Sequence, residues 1–300
     1  MKLQDKIKRR LDLYTSLIKQ RKEIKCLYNS FDRESKKDFY SMLKFNLLRS
    51  FKPNFLFHGK KKEYSFYNFK DKALVFDNYI FKPSEIKQDF QKSSFSKIIR
   101  EFSILLEEIL ITKAYEDKEA KVESKDIVFD CGANIGIFSI YAAKKAKMVY
   151  AFEPGKDEAT ALSENKRLNK CYNIKIIPRA VLDKTERAKL VLSGVGSHYL
   201  INSNNKDRKS VDAQTISIDE FVKEERLDKV DFIKMDIEGS EAKALLGAKE
   251  TLKKFKPKLA LSIYHKFNDF YQLPLLIKKI NPDYKIRVKN KKGTLMAYAI

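Results

Sequence analysis

A chain of 300 residues, 43% of them hydrophobic, is long enough to bury a sizeable core, either as one large domain or as a core domain with an appendage. Its formal charge of +22 would suit nucleic acid or an anionic membrane if the cations formed a patch, but they are mostly Lys and run from Lys2 to Lys292, which reads as compositional bias and argues against a specific nucleic-acid site. Cys26, Cys131 and Cys171 are too few, scattered and odd in number for a disulfide framework or a zinc site, and no apolar run approaches the roughly 20 residues of a membrane span, so a reduced, cytoplasmic setting is expected.

In chain order, Leu3, Ile7, Leu11, Tyr14 and Ile18 recur at helical spacing with Lys and Arg between them, the pattern of a basic amphipathic helix. Docking on its own protein or on a second copy, which would make a homo-oligomer, is the plain reading; a membrane-surface helix is the alternative. Residues 51–82 are aromatic-rich with turn signals and are expected to hold short strands or a hairpin. The stretch SKIIREFSILLEEILITKAYE, from Ser96, reads as a helix. From there the pattern becomes regular, which divides the chain into a mainly helical, basic accessory region (1–95) and a main domain (96–300).

Apolar runs at Ile127–Phe129, Val149–Phe152, Ile174–Ile177, Val230–Met235 and Lys258–Ile263 alternate with helical stretches. Such alternation predicts an α/β fold with a mostly parallel sheet covered on both faces. Tyr284–Val288, a turn at 291–293 and Thr294–Ala299 add a C-terminal antiparallel hairpin. This is the Rossmann-like plan of class I methyltransferases. A helix is expected over Gly239–Phe255. Residues 184–228 exceed an ordinary crossover and contain the polar run Asn202-Ser203-Asn204-Asn205-Lys206-Asp207, expected as a flexible loop near the substrate or a solvated excursion.

DCGANIG, Asp130 to Gly136, joins the first regular strand to the next helix in a chain with only 9 Gly. In open α/β sheets this loop faces the ligand. A dinucleotide fingerprint, G-x-G-x-x-G, needs its second glycine for close approach of a pyrophosphate, and here Asn134 and Ile137 follow Gly132 where the other glycines should stand. S-adenosyl-L-methionine has no phosphate. Its loop needs a sharp turn, met by Gly132, Asn134 and Gly136, and an acid for its ammonium, for which Asp130 is suited. Phe152-Glu153-Pro154 then places Glu153 about 20 residues after the loop, the interval at which a carboxylate accepts the ribose hydroxyls.

Two further stretches narrow the reading: QTISIDEF, Gln214 to Phe221, and DFIKMDIEGSE, Asp231 to Glu241. With DCGANIG, the FEP at 152–154 and SIYHK at Ser262–Lys266, they make residues 125–300 resemble the FkbM-type methyltransferases, in which a Thr-x-x-x-Asp element precedes Lys-x-Asp-x-Glu-Gly-x-Glu. Cys131 stands where that family commonly has an aliphatic residue. The resemblance implies methyl transfer from S-adenosylmethionine to oxygen, usually on a sugar, a glycan or a small metabolite, as in polysaccharide biosynthesis. Residues 1–95 resemble nothing nameable.

The residues themselves agree. Asp236 and Glu238 follow the fourth strand beside the cofactor pocket, to which Asp236 also belongs, and His265 follows the fifth. A hydroxyl is a poor nucleophile until a base removes its proton, so one of these three is the expected base. If it is His265, kcat/KM should rise with pH near the ordinary imidazole value of about 6.5. A structural alternative stands beside each: a hydrogen-bonded strand-end histidine, and acids that cap the helix that follows, Glu241 above all. A carboxylate pair could also hold Mg²⁺, although two acids do not make a metal site. Two other functions remain open: an RNA methyltransferase, motivated by the charge, and a non-catalytic S-adenosylmethionine-binding module. Amino-directed base methylases carry an Asn/Asp-Pro-Pro-aromatic element after this strand, and Asp236-Ile237-Glu238-Gly239 is not one.

Overall fold

The computed structural model describes residues 20–31, 33, 35–39, 68–70, 73–76, 79–81, 109–110, 113–192, 198–201, 210–291 and 294–299. The expected helix from Leu3 to Ile18, the polar run at 202–207, most of the stretch from Ser96, and residues 292–293 of the hairpin turn lie outside them.

Seven strands form the main sheet: β4 (Ile127–Cys131), β5 (Met148–Phe152), β6 (Ile174–Ile177), β11 (Phe232–Met235), β12 (Lys258–Ser262), β13 (Ile286–Lys291) and β14 (Thr294–Ala299). Their order is β13-β14-β12-β11-β4-β5-β6. The five from β12 to β6 are parallel neighbours, and β14 joins antiparallel between β12 and β13. The expected parallel sheet and closing hairpin are therefore present. β4 is buried along its whole length, as a central parallel strand covered on both faces must be.

Side-chain alternation splits the core in two. Phe129, Tyr150, Phe152, Ile233, Met235, Leu259 and Leu261 face one way. Helices α4 (Ile218–Glu224), α5 (Glu241–Leu246), α6 (Lys249–Lys254) and α7 (Asp269–Ile280) cover them with Phe221, Leu245, Leu252 and Phe270. Val128, Val149, Ala151, Phe232 and Ala260 face the other way, under α2 (Ile137–Ala143) and α3 (Lys156–Leu168). Phe129 centres an aromatic cluster, its ring centroid 5.5–5.6 Å from those of Tyr150, Phe152 and Phe221. Truncating so enclosed a ring to Ala costs about 3–5 kcal/mol.

The N-terminal part packs on this core. Helix α1 (Arg21–Ser30) buries Leu27 in the first cluster together with Phe31 and Phe39, and the Phe39 ring lies 5.5 Å from that of Phe270. Strands β1 (Asn68–Lys70), β2 (Ala73–Phe76) and β3 (Tyr79–Phe81) form the antiparallel set expected of the aromatic-rich stretch. Phe81 enters the second cluster, and the Asn169 amide bonds both the N–H and the carbonyl of Ile80.

Three expectations are corrected. Residues 184–228 are largely structured: β7 (Ala180–Leu182), β8 (Arg187–Leu192), β9 (His198–Ile201) and β10 (Ser210–Ser217) form a second sheet, ordered β7-β10-β8-β9. Its strands lie among polar residues that dominate the sequence signal. The helix over Gly239–Phe255 is two helices separated at Gly247, whose carbonyl accepts the Asp219 N–H at 2.9 Å and where a Cβ would lie 2.3 Å from the Leu182 carbonyl oxygen, an approach only glycine permits. The stretch from Ser96 does not stay helical to its end: residues 113–116 form a turn that sends Tyr115 and Glu116 to partners elsewhere in the fold.

Candidate active site

Strand order reverses between β4 and β11, where an open α/β sheet places its ligand. The glycine loop leaves β4 with left-handed backbone at Gly132 (φ +79°), Asn134 (+52°) and Gly136 (+90°). The N–H groups of Gly132 and Ala133 both bond the Phe152 carbonyl, each at 3.0 Å. A Cβ on Gly132 would sit 2.0 Å from the Asp236 carbonyl oxygen, and one on Gly136 would sit 2.8 Å from Leu162 Cγ. The first glycine thus lets the ends of β4 and β11 touch, and the second lets α2 close on α3. The result is a backbone cradle whose sharp turn is held by close packing that a side chain at either glycine would break.

Glu153 ties this cradle to β5. It is 5% exposed, and its two oxygens accept N–H bonds from Asn134 (2.7 Å) and Gly155 (2.8 Å). Burial pushes its carboxyl up to about 7 against the pull of those two donors. Each oxygen retains a second lone pair.

Asp130 lies inside β4 and is fully buried. Lys234, from the neighbouring β11, places Nζ 2.9 Å from Asp130 Oδ1 and donates to the Gly132 carbonyl at 2.7 Å, while Ser139 donates to Asp130 Oδ2 at 2.6 Å. Burial would drive Lys234 toward neutrality, but Asp130 and Asp236 outweigh it and hold the ammonium charged. Lys234 has no role in the sequence-based expectations. The signal was present: a Lys in the middle of an otherwise apolar strand is almost never buried without a partner.

The three expected acid–base residues meet. His265 Nε2 lies 3.3 Å from Asp236 Oδ1 and 3.6 Å from Glu238 Oε2, while Nδ1 lies 2.9 Å from Glu241 Oε1. Glu241, expected to cap the following helix, instead accepts the N–H of Ile237, ahead of that helix, at 3.0 Å and braces the histidine. Tyr115 donates to Asp236 Oδ2 at 2.7 Å, a contact no local pattern could announce across 121 residues. Burial alone would raise the Asp236 carboxyl, but the His265 and Lys234 cations and the hydroxyls of Tyr115 and Ser262 hold it below the usual carboxylate range.

For His265, burial favours the neutral ring, and the carboxylates of Glu241, Asp236 and Glu238 override it, pushing the imidazole up to about 9. This corrects the expected inflection near 6.5. Asp236, Glu241 and His265 also bring three metal-ligating atoms within 4.8 Å of one another. With its pKa raised, the histidine holds a proton that a metal would have to displace before binding there.

The Thr-x-x-x-Asp element has structural duties. The Thr215 hydroxyl bonds the Lys184 and Glu186 backbones across the turn from β7 to β8. Asp219 accepts the N–H groups of Glu250 and Thr251 and so caps α6.

A sequence profile described as the methyltransferase FkbM domain matches residues 130–284, more than half of the chain, and includes the residues of the site above except Tyr115. The chain belongs to the FkbM methyltransferase family. An FkbM methyltransferase structure from Methylobacillus flagellatus KT shares the fold, with a TM-score of 0.60 and 20% identity over 95% of this chain and 60% of that one. The hexuronic acid methyltransferase AglP of Haloferax volcanii is 31% identical over 134 residues, 44% of this chain and 54% of AglP. An uncharacterized RNA methyltransferase of Caldanaerobacter subterraneus is 36% identical over 102 residues, 33% of this chain and 21% of that protein. The chain thus spans about half of AglP and about a fifth of the RNA methyltransferase. Among the described residues, no helix is long and apolar enough to cross a membrane.

Proposed function

We propose that this FkbM methyltransferase uses S-adenosylmethionine to methylate a hydroxyl oxygen of a sugar, alone or within a glycan. The observation that carries the reading is the single polar cluster at the switch point, where the cradle ending in Asp236 and the His265 imidazole meet. The loop suits a nucleoside without phosphate: left-handed backbone at Gly132, Asn134 and Gly136 turns it sharply at the end of β4, and the Glu153 carboxylate stands beside it for the ribose diol. Asp130 acts on the cofactor side through Lys234, which fixes the Gly132 carbonyl. When bound, the cofactor supplies an electrophilic methyl on a sulfonium, so the protein need only position and deprotonate the acceptor.

His265 takes the acceptor's proton at Nε2, and Glu241 at Nδ1 keeps that nitrogen turned toward Asp236. Asp236, with its lowered pKa, is the weaker base and serves as an acceptor that aligns the hydroxyl. A positive charge held near this cluster would lower the imidazole pKa, because like charges disfavour the imidazolium, and would favour His265 as the base. Glu238, 40% exposed, borders the acceptor entrance.

The AglP similarity supports a sugar acceptor, and the RNA methyltransferase similarity together with the +22 charge supports the second reading, RNA. Mass spectrometry of surface glycans, nucleotide sugars and RNA from cells with and without the protein separates them. One added methyl on a sugar is expected, and one found only on RNA would reject the sugar.

A further inference from the structure

We infer that Tyr264 and Lys266 form the acceptor subsite and select a pyranose carrying a carboxylate near its reacting hydroxyl, that is, a hexuronate; this rests on the methyltransferase reading above. The two residues flank His265 just beyond the end of β12, and both are exposed at the mouth of the acid–base cluster. The Tyr264 ring lies 4.3 Å from the imidazole, tilted by 37°, with its hydroxyl 3.5 Å from Asp236 Oδ1. It is 36% exposed, one of three large hydrophobic side chains so placed among the described residues. An aromatic face held open beside a base is the platform on which the C–H face of a sugar ring stacks, and its hydroxyl end keeps the wet edge hydrated.

In so Lys-rich a chain an exposed Lys is ordinary. What sets Lys266 apart is that its stem has a fixed bed. Gly239 (φ +90°) lies under it, and a Cβ there would press on Lys266 Cε at 3.2 Å and Cγ at 3.6 Å. The stem of this exposed side chain therefore rests on backbone, with less entropy to lose on binding than a free side chain.

Electrostatics make that cation necessary for an anionic acceptor. Asp236, Glu238 and Glu241 surround His265, and the partly exposed Glu238 would repel a sugar carboxylate unless a positive charge met it. Lys266 supplies that charge on the side of His265 adjoining Gly239. A hexuronate satisfies both features, its ring on Tyr264, its carboxylate on Lys266 and a neighbouring hydroxyl at His265.

The test is binding of methyl glucuronide and methyl glucoside to the full chain, by calorimetry with S-adenosylhomocysteine present. Preference for the glucuronide of roughly 10–100-fold is expected, the range of one charge-assisted hydrogen bond. Lys266→Met should abolish the preference and Lys266→Arg should keep it, while Tyr264→Ala should weaken both sugars and Tyr264→Phe neither. Equal binding of the two sugars, or an unchanged ratio in a Lys266→Met protein that still binds S-adenosylhomocysteine normally, would overturn the subsite. Glucuronide bound with this dependence but never methylated would instead reject the proposed function. Methylation of another acceptor with no glucuronide binding would reject the subsite alone.

Discussion

Replacing Glu241 by Gln probes the acid–base cluster at one atom. The ring of His265 is 9% exposed and has carboxylates at both nitrogens, Glu241 at 2.9 Å on Nδ1, Asp236 and Glu238 at 3.3 and 3.6 Å on Nε2. Holding an imidazole at about 9 instead of about 6.5 takes a preference of about 3 kcal/mol for the charged ring, and leaves about 1% neutral at pH 7. The chain has only His58, His198 and His265, so heteronuclear NMR can follow each ring separately. The His265 resonance should titrate near 9 in the free protein and move toward 6.5 in Glu241→Gln, where the nearest carboxylate is gone. The folded-state pKa lies above the unfolded one, so this pair's stabilisation is complete below about 6.5 and lost as pH rises through about 9. Thermal melts of the wild type should therefore fall across that window, and those of Glu241→Gln should fall less. A His265 that titrates at or below 6.5, or one that Glu241→Gln leaves unmoved, would refute this account of the cluster.

In catalysis, His265→Ala should cost on the order of 10²–10⁴ in rate with S-adenosylmethionine affinity nearly intact; near-wild-type rates would make it a structural histidine. Glu153→Ala should weaken S-adenosylmethionine by about 1.5–3 kcal/mol in calorimetry, and unchanged affinity in a folded variant would remove the ribose assignment. Because burial raises the Glu153 carboxyl to about 7, its ionisation destabilises the folded protein as pH rises from about 4.5 through 7, so the wild type should lose thermal stability across that interval and Glu153→Gln, which also gives up one N–H acceptor, should lose less. A chelator should leave activity at neutral pH unchanged, and its complete loss would make the carboxylates and His265 metal ligands. Affinity for duplex DNA or RNA should collapse between low and physiological salt, and tight, sequence-dependent binding at physiological salt would point to an RNA acceptor.

The sequence by itself determined the sheet and the place of the site. Strand periodicity marked Ile174–Ile177 and Thr294–Ala299 to the residue, because a short apolar run between polar and turn residues is legible wherever it is written. Gly132, Gly136 and Asp236 were legible because a backbone need or a charge at a strand end leaves few residue types to choose from. The length of β4 was not legible. It continues to Cys131, so Asp130 is an interior partner of Lys234 and not a loop residue. The second sheet was hidden because its strands are set among polar residues, and the close approach at Gly247 involves the Leu182 carbonyl, 65 positions away in the chain. Above all, only the tertiary structure decided the chemistry of His265. Its pKa is set by three carboxylates that the meeting of β11, α5 and the end of β12 brings around one ring. The balance between burial and those charges is a property of distances, which a linear pattern does not carry.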